Sequence, residues 1–295
     1  MTNVPKTFHQ VWLGWDLPNP PPDAERCRLT WEEHHPDWGF RLWRSADCRK
    51  LLEEHYSWFL ETYDSYTKPI QRADAIRVFI LHHAGGVYLD HDYVCVKNVE
   101  PLLGGAEVYL PVEPQENLDA LREVFPNKPL PHVCSNAWMA SISGAGFWTH
   151  VQRALELANS GSNVETLSLT GPLLLTEAWS HYKQKEFVKI LPAETLQPVS
   201  AIEAIREPER YSSLEKWQYE CVKRGAFGAH MWNDTSHDPH VGNVVLGGTS
   251  AWSQQIHIPR IFHMVWFNFK DPNSVQYPDR EESKMQRSWI RKHPD

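Results

Sequence analysis

Apolar positions along the chain fall into short runs separated by proline and glycine. Val4 to Leu13 reads as a first strand, and the proline-rich stretch Pro18 to Pro22 after it must be a loop. Asp23 can cap a helix reaching about His34, Trp38 to Trp43 alternates as a second strand, and Ser45 starts a helix carrying Leu51 and Leu52. Pro69 fits the first turn of a further helix, with Ile70, Ala73, Ile76, Phe79, Ile80 and Leu81 at helical spacing until Gly85-Gly86 stops it. Val87-Tyr88-Leu89 then makes a short strand that ends in Asp90-His91-Asp92. Further strands are predicted at Val108 to Val112 and Asn136 to Ser141, and helices at Phe147 to Ala158 and Pro172 to His181. Strands alternating with helices predict an α/β fold in which helices cover both faces of a sheet.

The chain has 295 residues, enough for one large domain with a sizeable core or two small ones. A net charge of −8 with no Lys/Arg run argues against a nucleic-acid partner. Five cysteines, scattered and never in a CxxC pair, exclude a disulfide framework or zinc knuckle and predict buried free thiols in a reducing compartment. The N-terminus lacks a signal-peptide core, and no apolar run approaches the ~20 residues of a membrane span. The expectation is a soluble, cytoplasmic chain. The 14 tryptophans are unusual, and each reads either as core or as a flat surface for a sugar or nucleobase.

The end of the chain repeats its beginning. Val4-Pro5-Lys6-Thr7-Phe8-His9-Gln10-Val11-Trp12 parallels Ile258-Pro259-Arg260-Ile261-Phe262-His263-Met264-Val265-Trp266, and His35-Pro36-Asp37 parallels His293-Pro294-Asp295. The expected organisation is one domain over residues 1–257, followed by residues 258–295 as the truncated start of a second, repeated unit.

Asp90 and Asp92 fall at the carboxyl end of a predicted strand, the edge where open α/β sheets bind ligands. Two carboxylates one residue apart can reach one hard cation if the backbone turns there, and Mg²⁺ or Mn²⁺ would then bridge them to a diphosphate. Asp74 and Arg77 lie three apart on the preceding helix and so share a face. They form either an intrahelical salt bridge or a pair aimed at a polyhydroxylated ligand.

Arg72-Ala73-Asp74-Ala75-Ile76-Arg77 followed by Gly85-Gly86-Val87-Tyr88-Leu89-Asp90-His91-Asp92 resembles the signature of the DXD sugar transferases. That group includes the yeast-type initiating α-1,6-mannosyltransferases, polysaccharide-synthesis transferases and the glucosylating domains of large bacterial toxins. Phe8-His9-Gln10-Val11-Trp12-Leu13-Gly14, Ser135-Asn136-Ala137, Thr170-Gly171-Pro172 and Ala229-His230-Met231-Trp232 resemble the flanking motifs. The resemblance implies a GT-A-type nucleotide-sugar-binding fold with a mainly parallel central sheet flanked by helices.

It also implies a glycosyltransferase with a nucleotide-sugar donor such as a UDP- or GDP-hexose, a glycan or other hydroxyl acceptor, and retention of configuration. By position, Val11, Trp12 and Leu13 would lie at the donor's nucleoside, with the Trp12 ring stacked on the base. Asp74, Arg77, Tyr88 and Asn136 would hold the donor, with Asp90 at ribose, sugar and metal shell. Asp92 would be the direct metal ligand, and either His230 or Asn233 would complete the site. His91 departs from the family's small or Thr-like middle residue, and Trp232-Asn233-Asp234-Thr235 departs from its late Ser-Trp. Two other readings stand beside this one. One is a phosphatase using Asp90 as nucleophile; the other is an inactive sugar-binding unit of a tandem protein.

Overall fold

The computed structural model describes residues 4–14, 19–158 and 166–232. In chain order its strands and helices are β1 (Thr7–Trp12), α1 (Pro22–His34), β2 (Gly39–Arg44), α2 (Ser45–His55), α3 (Leu60–Ser65), α4 (Pro69–Ala84), β3 (Gly86–Leu89) and β4 (Tyr93–Cys95). There follow β5 (Val108–Pro111), α5 (Gln115–Val124), β6 (Trp138–Ser141), α6 (Gly146–Ala158), α7 (Thr166–Leu169) and α8 (Pro172–His181). Then come β7 (Val188–Leu191), α9 (Ala193–Leu196), α10 (Ala201–Arg206), α11 (Leu214–Lys223) and β8 (Gly228–His230). The repeat at residues 258–295, and with it the expected domain boundary, lies outside the described residues.

The central sheet has the order β2-β1-β3-β6-β5-β7. Its β1–β2, β1–β3 and β5–β7 pairs are parallel, whereas β6 runs antiparallel to both β3 and β5. Five strands therefore point one way and β6 alone reverses, which bears out the mainly parallel α/β sheet. From β1 the chain steps to one side to form β2 and returns to the other side to form β3. The crevice beyond the carboxyl ends of β1 and β3 is thus a topological switch point, the place where such sheets hold ligands. A separate two-stranded sheet pairs β4 with β8, with Tyr93 opposite His230.

Helix α4 is the central support. Pro69 occupies its first turn, where a missing N–H costs nothing, and Gln71 returns a side-chain bond to the Lys68 N–H. It is buried on nearly every side from Ala73 to Leu81, which is why its sequence is apolar almost all round. The helix stops at Gly85, whose φ is 65°, and Gly86 follows at 87°. A Cβ on Gly86 would stand 2.5 Å from the Thr7 carbonyl oxygen, so strands β1 and β3 can close only over a glycine.

Among the described residues most tryptophans are core. Trp12, Trp31, Trp43, Trp138, Trp148 and Trp217 are among the largest fully buried side chains. The Trp31 indole donates to the Tyr93 carbonyl at 2.7 Å and the Trp148 indole to Ser141 Oγ at 2.7 Å, so burial leaves neither N–H unpaired. All five cysteines are buried and free, as their spacing predicted. Among the described residues no helix is long and apolar enough to cross a membrane.

Candidate active site

The end of β3 opens into a turn at His91 and Asp92 before β4 begins. That turn is tied to the end of β1 by two bonds. Gln10 Nε2 donates to the Asp90 carbonyl at 3.2 Å, and His91 Nε2 donates to the Val11 carbonyl at 2.8 Å. Burial lowers the His91 pKa, which suits a neutral ring carrying its proton on Nε2. The residue that departs from the family's middle position is therefore a buried brace between the two strands, and its ring stands edge-on to Trp12. Trp12 is only 1% exposed, so its ring is not offered to a base as the sequence predicted. Val11 is buried beside it and Leu13 is half-buried.

Asp74 and Arg77 are 6% and 3% exposed, which rules out a salt bridge on an exposed helix face. Arg77 Nη2 reaches Asp74 Oδ1 at 2.9 Å, and its Nη1 reaches Asp90 Oδ1 at 3.4 Å and donates to the Asn136 carbonyl at 2.7 Å. The guanidinium lies over the Tyr88 ring, 4.5 Å from its centroid. The Tyr88 hydroxyl in turn donates to Asp90 Oδ1 at 2.6 Å. Asn136 Nδ2 donates to Asp74 Oδ1 at 3.0 Å, and the Thr170 hydroxyl to Oδ2 at 3.2 Å. Burial still dominates at Asp74 and pushes its carboxyl up to about 6, against the lowering effect of Arg77. The five expected residues Asp74, Arg77, Tyr88, Asp90 and Asn136 thus form one network, buried at Asp74, Arg77 and Tyr88 and partly open at Asp90 and Asn136, with Thr170 added by the fold.

Asp92 meets a partner from far along the chain. His230 Nε2 lies 3.0 Å from Asp92 Oδ1, because β8 pairs with β4 directly after the turn. Burial would lower the His230 pKa, but Asp92, Asp90 and Glu113 together raise it. The His230 ring stacks on Tyr93 at 5.6 Å, and its Nδ1 is buried without a hydrogen-bond partner. Asn233, the alternative to His230, lies outside the described residues.

Among the described residues no three His, Cys, Asp or Glu side chains form a complete cation cage. Hard cations such as Mg²⁺ are commonly held by one or two carboxylates plus substrate phosphates, so Asp92 and Asp90 with His230 alongside fit such an ion if a donor supplies the remaining oxygens. Asp90 Oδ1 is engaged by Tyr88 and Arg77, and Asp92 Oδ1 by His230.

Residues 21–109 match the family described as the glycosyltransferase sugar-binding region containing DXD motif. Mannosyl phosphorylinositol ceramide synthase SUR1 of Saccharomyces cerevisiae is 32% identical over 198 residues, 66% of this chain and 47% of that protein. Inositol phosphoceramide mannosyltransferase 1 of Schizosaccharomyces pombe is 32% identical over 202 residues, 65% of this chain and 57% of that protein. The chain therefore spans about half the length of the curated relatives it matches. Among solved structures, the PaToxG glycosyltransferase is similar with a TM-score of 0.44 and 16% identity, covering 62% of this chain and 70% of that one.

Proposed function

From a chain that carries the DXD-containing sugar-binding region of the glycosyltransferases, we propose a metal-dependent enzyme that moves a hexose from a nucleotide-diphosphate sugar to a hydroxyl acceptor. The observation that carries this reading is the contact of His230 with Asp92 at the sheet's switch point, with Asp90 joined beside it to the Asp74–Arg77–Asn136 network.

Each group then has a task. The end of β1, braced by Gln10 and His91, presents the backbone around Val11 to Leu13 to the nucleoside. Asp74, Asn136 and Arg77 are fixed before the donor arrives, so little ordering remains to be done on binding. Asp74 accepts from sugar hydroxyls and Arg77 faces Asp90 and the donor oxygens. Asp92, with Asp90 and His230 alongside, would hold Mn²⁺ or Mg²⁺, which would supply positive charge to a departing nucleotide diphosphate. A phosphatase nucleophile is a poorer role for Asp90, whose Oδ1 already accepts from Tyr88 and faces Arg77.

The names of the yeast relatives favour mannose as the sugar and an inositol-bearing lipid as the acceptor. Retention of configuration follows from the resemblance and assigns no dedicated general base. The five buried free thiols support a reducing, cytoplasmic setting. The repeat from Ile258 supports a second transferase unit downstream. Since every proposed site residue precedes that point, removing residues 258–295 leaves donor binding intact.

A thermal-shift panel of UDP- and GDP-hexoses with Mn²⁺ tests this reading. One nucleotide sugar should stabilise the chain in Mn²⁺ and lose that effect in excess chelator. A chain indifferent to every donor in the panel is no such transferase.

A further inference from the structure

The mechanism above leaves the partly buried carboxylate of Glu113 without a task. Glu113 follows the carboxyl end of β5, where its backbone N–H donates to the Val133 carbonyl at 2.8 Å. The same edge of the sheet carries Asp90 beyond β3, Ser135 and Asn136 before the antiparallel β6, and Gln197 beyond β7. Strands lie ~4.8 Å apart, so Glu113 stands two strands, or roughly 10 Å, from the DXD turn along that edge. That separation leaves room for a sugar ring between them. Glu113 is also close enough to His230 for each to act on the other's charge.

The surroundings of Glu113 are built to keep it in place without neutralising it. Asn117 Nδ2 donates to Glu113 Oε2 at 3.0 Å, while its Oδ1 accepts from the Ala201 N–H at 3.0 Å, which fixes the amide's orientation. Ser135 Oγ accepts from Gln197 Nε2 at 2.6 Å and from the Ala137 N–H at 3.3 Å, so its own hydrogen is left to donate. Asn117, Ser135 and Gln197 are all buried, and Ser135 and Gln197 both favour the charged form of Glu113. Burial nonetheless raises the Glu113 pKa. Among the described residues Glu113 has no ion-pair partner.

A partly buried carboxylate held by neutral hydrogen-bonding groups, with the charge of His230 acting on it, is costly to keep and is a candidate functional group. The cluster is also short of hydrogens. In the orientation that lets Nε2 donate to Ser135, Gln197 Oε1 is a buried acceptor with no donor. Unused acceptors call for a ligand rich in O–H groups, and a carboxylate repels an anionic one. We propose that Glu113, positioned by Asn117, Ser135 and Gln197, is the acceptor subsite and takes hydrogen bonds from the hydroxyls of a neutral polyol or sugar ring. The proposal rests on the transferase reading, since it assigns that reaction's second substrate.

The test uses the whole chain with Mn²⁺ and GDP-mannose as donor, and myo-inositol and methyl α-mannoside as acceptor probes. Donor affinity is read by calorimetry and transfer by mass spectrometry. Glu113→Gln should keep the unfolding midpoint and a donor Kd within twofold of wild type. Its kcat/KM for the acceptor probe should fall about a hundredfold, chiefly through KM, and Glu113→Asp should recover part of the loss. Asn117→Ala, which frees the carboxylate, should give a smaller loss of the same kind. An acceptor KM unchanged in Glu113→Gln overturns the subsite, as does a loss in which donor Kd and acceptor KM move together. A wild type that binds GDP-mannose yet transfers to neither probe overturns the neutral-polyol assignment. A wild type that binds no nucleotide sugar removes the transferase reading itself, and the subsite with it.

Discussion

His230 Nε2 and Asp92 Oδ1 lie 3.0 Å apart although 138 residues separate them in sequence. The contact exists because β8 closes on β4, placing His230 opposite Tyr93 and next to the turn that carries Asp92. Groups that orient a metal-binding carboxylate are commonly worth ten- to a hundredfold in affinity. His230→Ala should therefore weaken Mn²⁺-dependent nucleotide-sugar binding by roughly that factor while the chain stays folded. Calorimetry with and without Mn²⁺ measures it. An unchanged affinity would reduce the contact to a structural tie between two short strands.

Burial changes what removal of Asp74 or Arg77 does. On an exposed helix the loss would be at most ~1 kcal/mol. Here either alanine removes the nearest opposite charge from a buried group, leaving Arg77 with Asp90 alone or Asp74 with only the neutral donors Asn136 and Thr170, at a cost of about 3 kcal/mol. Asp74→Ala and Arg77→Ala should each lower the urea midpoint clearly, in addition to any loss of turnover. The double variant Asp74→Leu/Arg77→Met should regain much of that stability and none of the turnover. Single alanines with wild-type midpoints would contradict the buried network.

The close approach of β1 and β3 makes a second stability prediction. Gly86→Ala must seat a methyl group 2.5 Å from the Thr7 carbonyl, at a φ of 87°. Backbone contacts cannot yield as a flexible side chain does, so the cost should exceed ~3 kcal/mol. Thermal melting decides it. A variant that melts with the wild type would mean the strands can part without penalty.

Much of this was legible in the sequence, and the reasons differ by element. Pro69, the apolar spacing up to Leu81 and Gly85-Gly86 fix α4 and the start of β3 by local rules alone. The DXD turn followed from the strand those glycines introduce. Short elements stayed hidden: β4, β7, β8, α9 and α10 are three to six residues long, too short to show a period of their own, whereas α11, with its Ser213 cap and Leu214, Trp217 and Cys221 on one buried face, carries a helical pattern that was not read. Within the site, the structure brings Asp74, Arg77 and Asn136 together and sets His230 against Asp92, but the burial of Asp74 and Arg77 was not legible, because a three-residue spacing gives a shared face and not what covers it. Trp12 reads as a stacking platform until the His91 ring is seen against it. Glu113 carries no motif, and its interest comes only from Asn117, Ser135 and Gln197 converging on it from three other segments.

His9 gives a pH dependence of stability with a definite sign. Its Nε2–H donates to the Gly85 carbonyl at 3.0 Å and its Nδ1 accepts from the Trp43 indole at 3.1 Å, so the neutral ring uses both nitrogens. Burial lowers its pKa to about 4 in the folded chain, against an ordinary value of 6.5. The folded state therefore binds this proton more weakly than the unfolded state does. The stabilisation is complete above pH ~6.5 and is lost as pH falls towards 4, amounting to roughly 3 kcal/mol across that window. Urea titrations between those limits should show the slope in wild type and a shallower one in His9→Gln. Equal slopes would place the pH dependence elsewhere.

The central claim is that Asp92 holds the cation through which a nucleotide sugar binds. The direct measurement is the affinity of the wild type and Asp92→Asn for the nucleotide sugar preferred in the donor panel, taken by calorimetry in Mn²⁺ and again in excess chelator. The account predicts donor binding by the wild type in Mn²⁺, loss of that binding in chelator, and little or no binding by Asp92→Asn in either condition, with the unfolding midpoint preserved. Wild-type affinity in the Asp92→Asn variant, or donor binding indifferent to the chelator, would contradict it.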